Sequence, residues 1–178
     1  LIISSHILFK ILYLYWSFII PFKKNKNLDH VLNQLRNTFG KRFTTNNTIL
    51  DRHGKDEAYH PVAPPDGVIF PETTEEIREI VLLCSDNNIP IVPFGVGTSL
   101  EGGIGALSGG ICIDFAKMKN ILEINQLDMD CKVQAGVTRK ELEGKLRDTG
   151  LFFPVDPGAD ATIGGMAATS ASGTNAVR

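Results

Sequence analysis

The chain has 178 residues, 43% hydrophobic and 21% charged, with eighteen Lys and Arg against twenty Asp and Glu for a formal net charge of −2. That is enough apolar material for one core, and it excludes a disordered or collagen-like chain. The missing basic excess excludes a nucleic-acid partner, and three cysteines without C-x-x-C spacing exclude a disulfide framework or a cysteine zinc site and point to reducing surroundings.

Residues 1–22, LIISSHILFKILYLYWSFIIPF, are strongly apolar but are interrupted by His6 and Lys10, so only 11–22 run unbroken apart from Ser17. This is short of the roughly twenty residues that cross a bilayer. The basic start and small-residue cleavage site of a secretory signal are absent, and no arginine precedes Arg36, as a mitochondrial presequence would require. Three readings stay open: an incidental leader, a targeting segment, or an anchor giving membrane association through residues 1–22, with Lys23, Lys24 and Lys26 on the non-translocated side. Residues 1–26 are set apart from the folded part, which starts at 28. The chain opens on leucine and stops at Arg178 without a closing turn, the pattern expected of a fragment.

Leu28, Val31, Leu32 and Leu35 fall at i, i+3, i+4 and i+7, which predicts an amphipathic helix over 28–39 that Gly40 stops. Residues 44–67, TTNNTILDRHGKDEAYHPVAPPDG, are polar and turn-rich, and no regular element is expected there. Its His53 and His60, near Asp51, Asp56 and Glu57, lack the spacing of metal ligands and read as solvated loop residues; no metal site is expected. The basic cluster from Arg36 to Arg42 reads as a solvated helix end.

GVIFP at 67–71 predicts a strand, and residues 73–88 a helix with a capping box of Thr73 and Glu76 and a buried stripe of Ile77, Ile80, Val81 and Cys84. IPIVPF at 89–94 predicts a second strand, so 67–94 reads as a β-α-β unit. Further strands are expected at 110–115, 121–125 and 131–136, the last two joined by a turn. Thr138 and Glu141 form another capping box, opening a helix with Leu142 and Leu146 inward and Gly150 at its C′ position, before a last strand at 151–155.

PFGVGTSLEGG, residues 93–103, holds four glycines directly after an apolar run. The dinucleotide fingerprint G-x-G-x-x-G fails because Leu100 takes the third glycine's place, and the phosphate loop of nucleotide hydrolases fails because Gly103 stands where its lysine belongs. What remains is either an ordinary glycine-rich connection or a nest of backbone N–H groups, with the Thr98 and Ser99 hydroxyls, suited to a passive diphosphate. In residues 156–176, fifteen of twenty-one are Gly, Ala, Ser or Thr. Either this is a low-complexity linker, or small side chains let the backbone lie flat on a large ligand whose edge Ser170, Ser172, Thr174 and Asn175 can bond.

These two segments, with RHGKDEAYHPVAPPDGVIFPETTEEI and VQAGVTRKELEGKLRDTGLFFPVDPGADATIGGMAATSASGTNAVR, stand in the order found in the FAD-linked D-2-hydroxyacid dehydrogenases. Over roughly residues 28–178 the chain resembles that family, the cytochrome-linked D-lactate dehydrogenases foremost, with glycolate oxidase flavin subunits and D-2-hydroxyglutarate dehydrogenases as alternatives. The resemblance implies an α+β fold of two subdomains, the FAD-binding domain of the vanillyl-alcohol oxidase and p-cresol methylhydroxylase (PCMH) type, incomplete on its C-terminal side. It implies FAD as cofactor, with Pro93, Gly95, Val96, Gly97, Thr98, Ser99, Leu100 and Gly102 around the pyrophosphate. Asp156, Pro157, Gly158, Ala159, Thr162, Ile163, Gly164 and Gly165 would line the ribityl and isoalloxazine portion, with Ser172, Gly173 and Asn175 nearby. With no histidine or cysteine in the glycine loop, the cofactor is expected to be non-covalent. The implied partners are a small D-2-hydroxy acid, most simply D-lactate, and an electron acceptor such as cytochrome c, and the implied location is the mitochondrion. The substrate-binding, catalytic and metal-binding residues of such enzymes are expected in a later cap domain, so no catalytic residue is assigned here; a non-catalytic FAD-binding remnant is the other possibility.

Overall fold

The computed structural model describes residues 25–173, so the readings of residues 1–22, Thr174 and Asn175 lie outside the described residues. Helix α1 (Leu28–Phe39) forms as its periodicity predicts, burying Leu28, Val31, Leu35 and Phe39 and ending at Gly40 with φ 53°. The folded part already includes Asn25, whose side-chain amide donates to the carbonyls of Asn87 and Asn88 at 2.9 and 3.0 Å.

After β1 (Phe43–Thr44) the turn-rich segment departs from expectation, because residues 47–53 form helix α2 (Asn47–His53). Asn46 caps it by accepting from the Thr48 N–H at 3.0 Å, and Ile49, Leu50 and His53 form its inward face. Seven residues cannot hold a helix alone; packing of that face on the sheet stabilises it.

Strands β2 (Gly67–Ile69), β3 (Ile91–Phe94) and β4 (Ile111–Asp114) join β1 in a four-stranded sheet of order β1-β2-β4-β3, with β2 and β3 both parallel to β4 and β1 antiparallel to β2. The expected β-α-β unit is therefore split: β4 inserts between the two strands that helix α3 (Thr74–Asp86) connects. Both faces of the sheet are covered, which explains why β4 is buried at every position instead of alternating. Ile111 and Ile113 face α1 and α3, and Cys112 packs with Val68, Phe94 and Ile104 on the side of α2. Pro93, which cannot donate to a ladder, sits on the edge strand.

Only one of the two capping boxes is complete. Thr73 accepts from the Glu76 N–H at 3.2 Å, but the Glu76 carboxylate turns to the N–H of Glu72 and to both terminal nitrogens of Arg42, at 2.6 Å each. Arg42 is thus a paired residue and not a solvated helix end, and its charge on the carboxylate outcompetes the neutral Thr73 N–H. In the α3 stripe Ile80 and Cys84 are buried, whereas Val81 is 41% exposed and Leu83 packs in its place.

The second part of the molecule is smaller. Strands β5 (Ile121–Asn125) and β6 (Asp130–Val133) pair antiparallel, and helix α4 (Arg139–Leu146) buries Leu142 and Leu146 against them. Here both halves of the Thr138–Glu141 capping box are present, and Gly150 closes the helix end in the left-handed conformation. The strand expected at 151–155 does not form: Pro154 removes a donor, and Leu151 and Phe153 only pack onto the core of α4. Within the small-residue segment, residues 163–168 unexpectedly form helix α5 (Ile163–Ala168), capped by Thr162, with Met166 buried beneath it.

Candidate cofactor site

The glycine loop leaves the carboxyl end of β3, the end of a parallel sheet where ligands gather. It returns to β4 at Gly110, which is locked to the start of β2 by a reciprocal pair, its N–H donating to Asp66 Oδ2 at 2.6 Å and its carbonyl accepting from the Asp66 N–H at 2.8 Å. Between these anchors the backbone is unusual in one respect. Among the described residues, the N–H groups of Val96, Gly97 and Thr98 have no hydrogen-bond partner within the chain. Consecutive unspent N–H dipoles on a fixed loop are what an anion nest requires. Gly97 has φ 78°, and a side chain there would also press to 2.9 Å of the Phe94 ring.

Not every donor in the loop is available. Glu101 accepts from the Leu100 N–H at 3.1 Å and from the Ser99 hydroxyl at 3.3 Å. Val96 and Leu100 expose their side chains, and Pro93 is exposed on the strand edge.

The structure brings the loop and the second segment together. A Cβ on Gly95 would collide with Thr162 Oγ1, so the loop and the start of α5 touch where only a glycine fits. Thr162 is held in turn by the strip at 135–139: it bridges Thr138, while the Ile163 and Gly164 N–H groups donate to Val137 and Ala135 carbonyls at 2.8 and 3.0 Å. Gly165 donates to the Thr162 hydroxyl at 3.2 Å. The amides of 163–165 are therefore occupied, and Ile163 turns its side chain into the core of α4. What these residues offer a ligand is a low surface, as the small side chains suggest.

Asp156, Pro157, Gly158 and Ala159 form a turn closed by the Gly158 N–H on Asp156 Oδ1 at 3.0 Å, and Gly173 returns to lie against the Asp156 backbone, too close for a Cβ, beside exposed Ser172. Asp156 Oδ1 also lies 3.5 Å from Nε of Arg139, whose Nη1 pairs with Glu143 at 2.5 Å. That Nε is a buried donor without a hydrogen-bond partner among the described residues.

Sequence reasoning missed the support beneath the loop. His53 is 4% exposed, not solvated; its Nε2 lies 2.8 Å from Asp114 Oδ2 and its Nδ1 2.7 Å from the Ile49 carbonyl. Its ring packs on Phe94 at 4.4 Å between centroids, and Phe94 in turn backs Gly97. The signal was available: once Asn46 is read as a cap, His53 follows Ile49 at i+4 on the inward face of α2. Among the described residues, no three His, Cys, Asp or Glu side chains gather as metal ligands, and no helix is long and apolar enough to cross a membrane.

Residues 65–178 match the sequence family described as FAD binding domain. The probable mitochondrial D-lactate dehydrogenase of Danio rerio is 49% identical over 156 residues, covering 87% of this chain and 31% of that protein. The mitochondrial cytochrome D-lactate dehydrogenase of Arabidopsis thaliana is 42% identical over 150 residues, covering 83% and 26%. The chain thus spans between a quarter and a third of the length of these relatives. The fold is shared with solved structures of alkyldihydroxyacetonephosphate synthase, at TM-score 0.74 and 24% identity over 82% of this chain and 32% of that one, and of p-cresol methylhydroxylase, at TM-score 0.59 and 22% identity over 71% and 25%. With a glycine loop of unspent N–H groups set against a small-residue surface, this chain belongs to the FAD binding domain family.

Proposed function

We propose that residues 28–178 form the first part of the FAD site of an enzyme that oxidises a D-2-hydroxy acid, D-lactate to pyruvate, and passes the electrons to cytochrome c. The observation that carries the site is the contact of Gly95 with Thr162, which joins the three unspent N–H groups of 96–98 to the surface at 156–173. Val96, Gly97 and Thr98 would hold the diphosphate through the backbone, and the turn at 156–159 and the start of α5 would line the ribityl chain and ring, with Ser172 and Gly173 nearby. The loop has neither histidine nor cysteine, so the flavin is held without a covalent bond. When bound, FAD would supply the two-electron redox chemistry. The part of the protein described here binds, orients and backs the cofactor.

The substrate and acceptor rest on the names of the relatives, D-lactate dehydrogenase and its cytochrome form, and the mitochondrial location on the same names. The test is to purify the full-length protein with FAD and record its absorbance without oxygen before and after D-lactate, L-lactate, glycolate or D-2-hydroxyglutarate. Bleaching by D-lactate first, followed by reduction of cytochrome c, is the expected result. Preferential bleaching by another acid moves the substrate, a flavin that no acid bleaches marks a non-catalytic binder, and a colourless protein overturns the site. Acid precipitation should release the flavin into solution.

A further inference from the structure

Residues 54–63 belong to neither glycine-rich segment, yet they brace one of them. The Ala63 N–H donates to the Gly54 carbonyl at 2.9 Å, closing this stretch into a loop with Asp56 inside it. The Asp56 side chain is 2% exposed; its Oδ2 lies 2.7 Å from His60 Nδ1 and its Oδ1 accepts from the Ala58 N–H at 3.0 Å. Burial alone would raise its pKa, but His60, the Ala58 N–H and the nearby N–H of Gly102 outweigh it and hold the carboxyl below its ordinary value. One of the groups favouring this buried charge therefore belongs to the glycine loop.

His60 makes the second link. Tyr59 stacks on its imidazole at 4.8 Å, and the same ring borders Gly102, three of its atoms lying 3.3–3.4 Å from where a Cβ would stand. Gly102 has φ 76° and starts the turn that brings the Ala106 N–H to the Ala63 carbonyl at 2.8 Å. A buried carboxylate is costly without its donors, so the pair cannot let go of the loop freely.

We propose that Asp56 and His60 act as positioning residues that set the turn at Gly102, so that the N–H groups of Val96, Gly97 and Thr98 are in place before the FAD diphosphate arrives. This rests on the reading of the loop as the diphosphate site. A loop ordered in advance binds more tightly, because less freedom is lost on binding.

The test uses the full-length protein in three forms: wild type, His60→Leu, which keeps bulk beside Gly102 but removes the donor to Asp56, and His60→Asn, which keeps a donor near the place of Nδ1. FAD affinity is read by flavin fluorescence, and hydrogen exchange of the 96–106 amides is followed without FAD. His60→Leu is expected to weaken FAD on the order of tenfold and to speed exchange in 99–106 but not in α1 or α3, and His60→Asn to recover most of both. Unchanged affinity in His60→Leu beside a wild type that binds FAD, or an exchange increase spread evenly over the chain, overturns the proposal. A wild type that takes up no FAD overturns the reading of the site instead.

Discussion

His53 and Asp114 meet at 2.8 Å beneath the glycine loop, both almost fully buried, one from α2 and the other from the carboxyl end of β4. His53 Nδ1 in turn lies 2.7 Å from the Ile49 carbonyl. Asp114 Oδ1 also accepts from the Ala116 N–H at 2.7 Å, so each polar atom of the pair has a partner. The pair fixes Phe94, and Phe94 backs Gly97.

Removing one partner leaves the other buried and unpaired. Asp114→Leu or His53→Leu should therefore lower unfolding stability by about 3–5 kcal/mol, the range for broken buried pairs. Replacing both at once with apolar residues should cost clearly less than the two single losses added together. Urea unfolding of the four proteins checks this, and strict additivity would rule out the pair as a unit.

Gly95→Ala places a methyl group into Thr162 Oγ1. FAD affinity should fall on the order of tenfold through separation of the two segments, with the main sheet unaffected. Thr162→Ala removes the clashing oxygen, so the double variant should regain affinity although it loses the α5 cap, a cost of about 1 kcal/mol. Affinity that stays low in the double variant would mean that Gly95 acts through its own backbone and not through this contact.

The paired hydrogen bonds from Arg42, with the Glu72 N–H, hold the Glu76 carboxyl down at about 2 from an ordinary 4.5. A lowered folded value means that the stabilisation is fully present above pH 4.5 and is lost as the pH falls toward 2. Both side chains are about one-quarter exposed, so solvent screening keeps the gain to about 1–3 kcal/mol. Melting temperatures of wild type and Glu76→Gln should differ at pH 6 and converge between pH 4 and 2. Parallel curves over that range would remove Arg42–Glu76 as an acid-sensitive link.

The three thiols should not react alike. Burial pushes Cys84 up to about 11, and burial with the Asp114 charge pushes Cys112 higher still, whereas Cys131 is exposed on β6. A thiol reagent at pH 7.5 should label one cysteine per native chain and all three in denaturant. Rapid labelling of Cys112 in the native protein would show that the sheet opens beneath the loop.

Periodicity and capping are local, so α1, α3 and α4 could be read from Leu28, Val31 and Leu35, from Thr73, and from Thr138 with Glu141. The glycine loop and the small-residue segment were equally legible as chemistry, because what a backbone can approach depends on side-chain size. By itself the sequence determined α1, α3, α4 and most strands in their order, but not α2 or α5, and the class of ligand followed from the family resemblance. Tertiary structure decided the rest. Only pairing could insert β4 between β2 and β3, and only packing on the sheet could stabilise the short α2 and α5. Likewise His53 with Asp114, and Asp56 and His60 with Gly102, join residues 42 to 61 positions apart, a proximity that no local pattern encodes. Composition made residues 44–67 look like solvent-exposed turns; burial of His53 and Asp56, with His60 against Gly102, made part of them the loop's support.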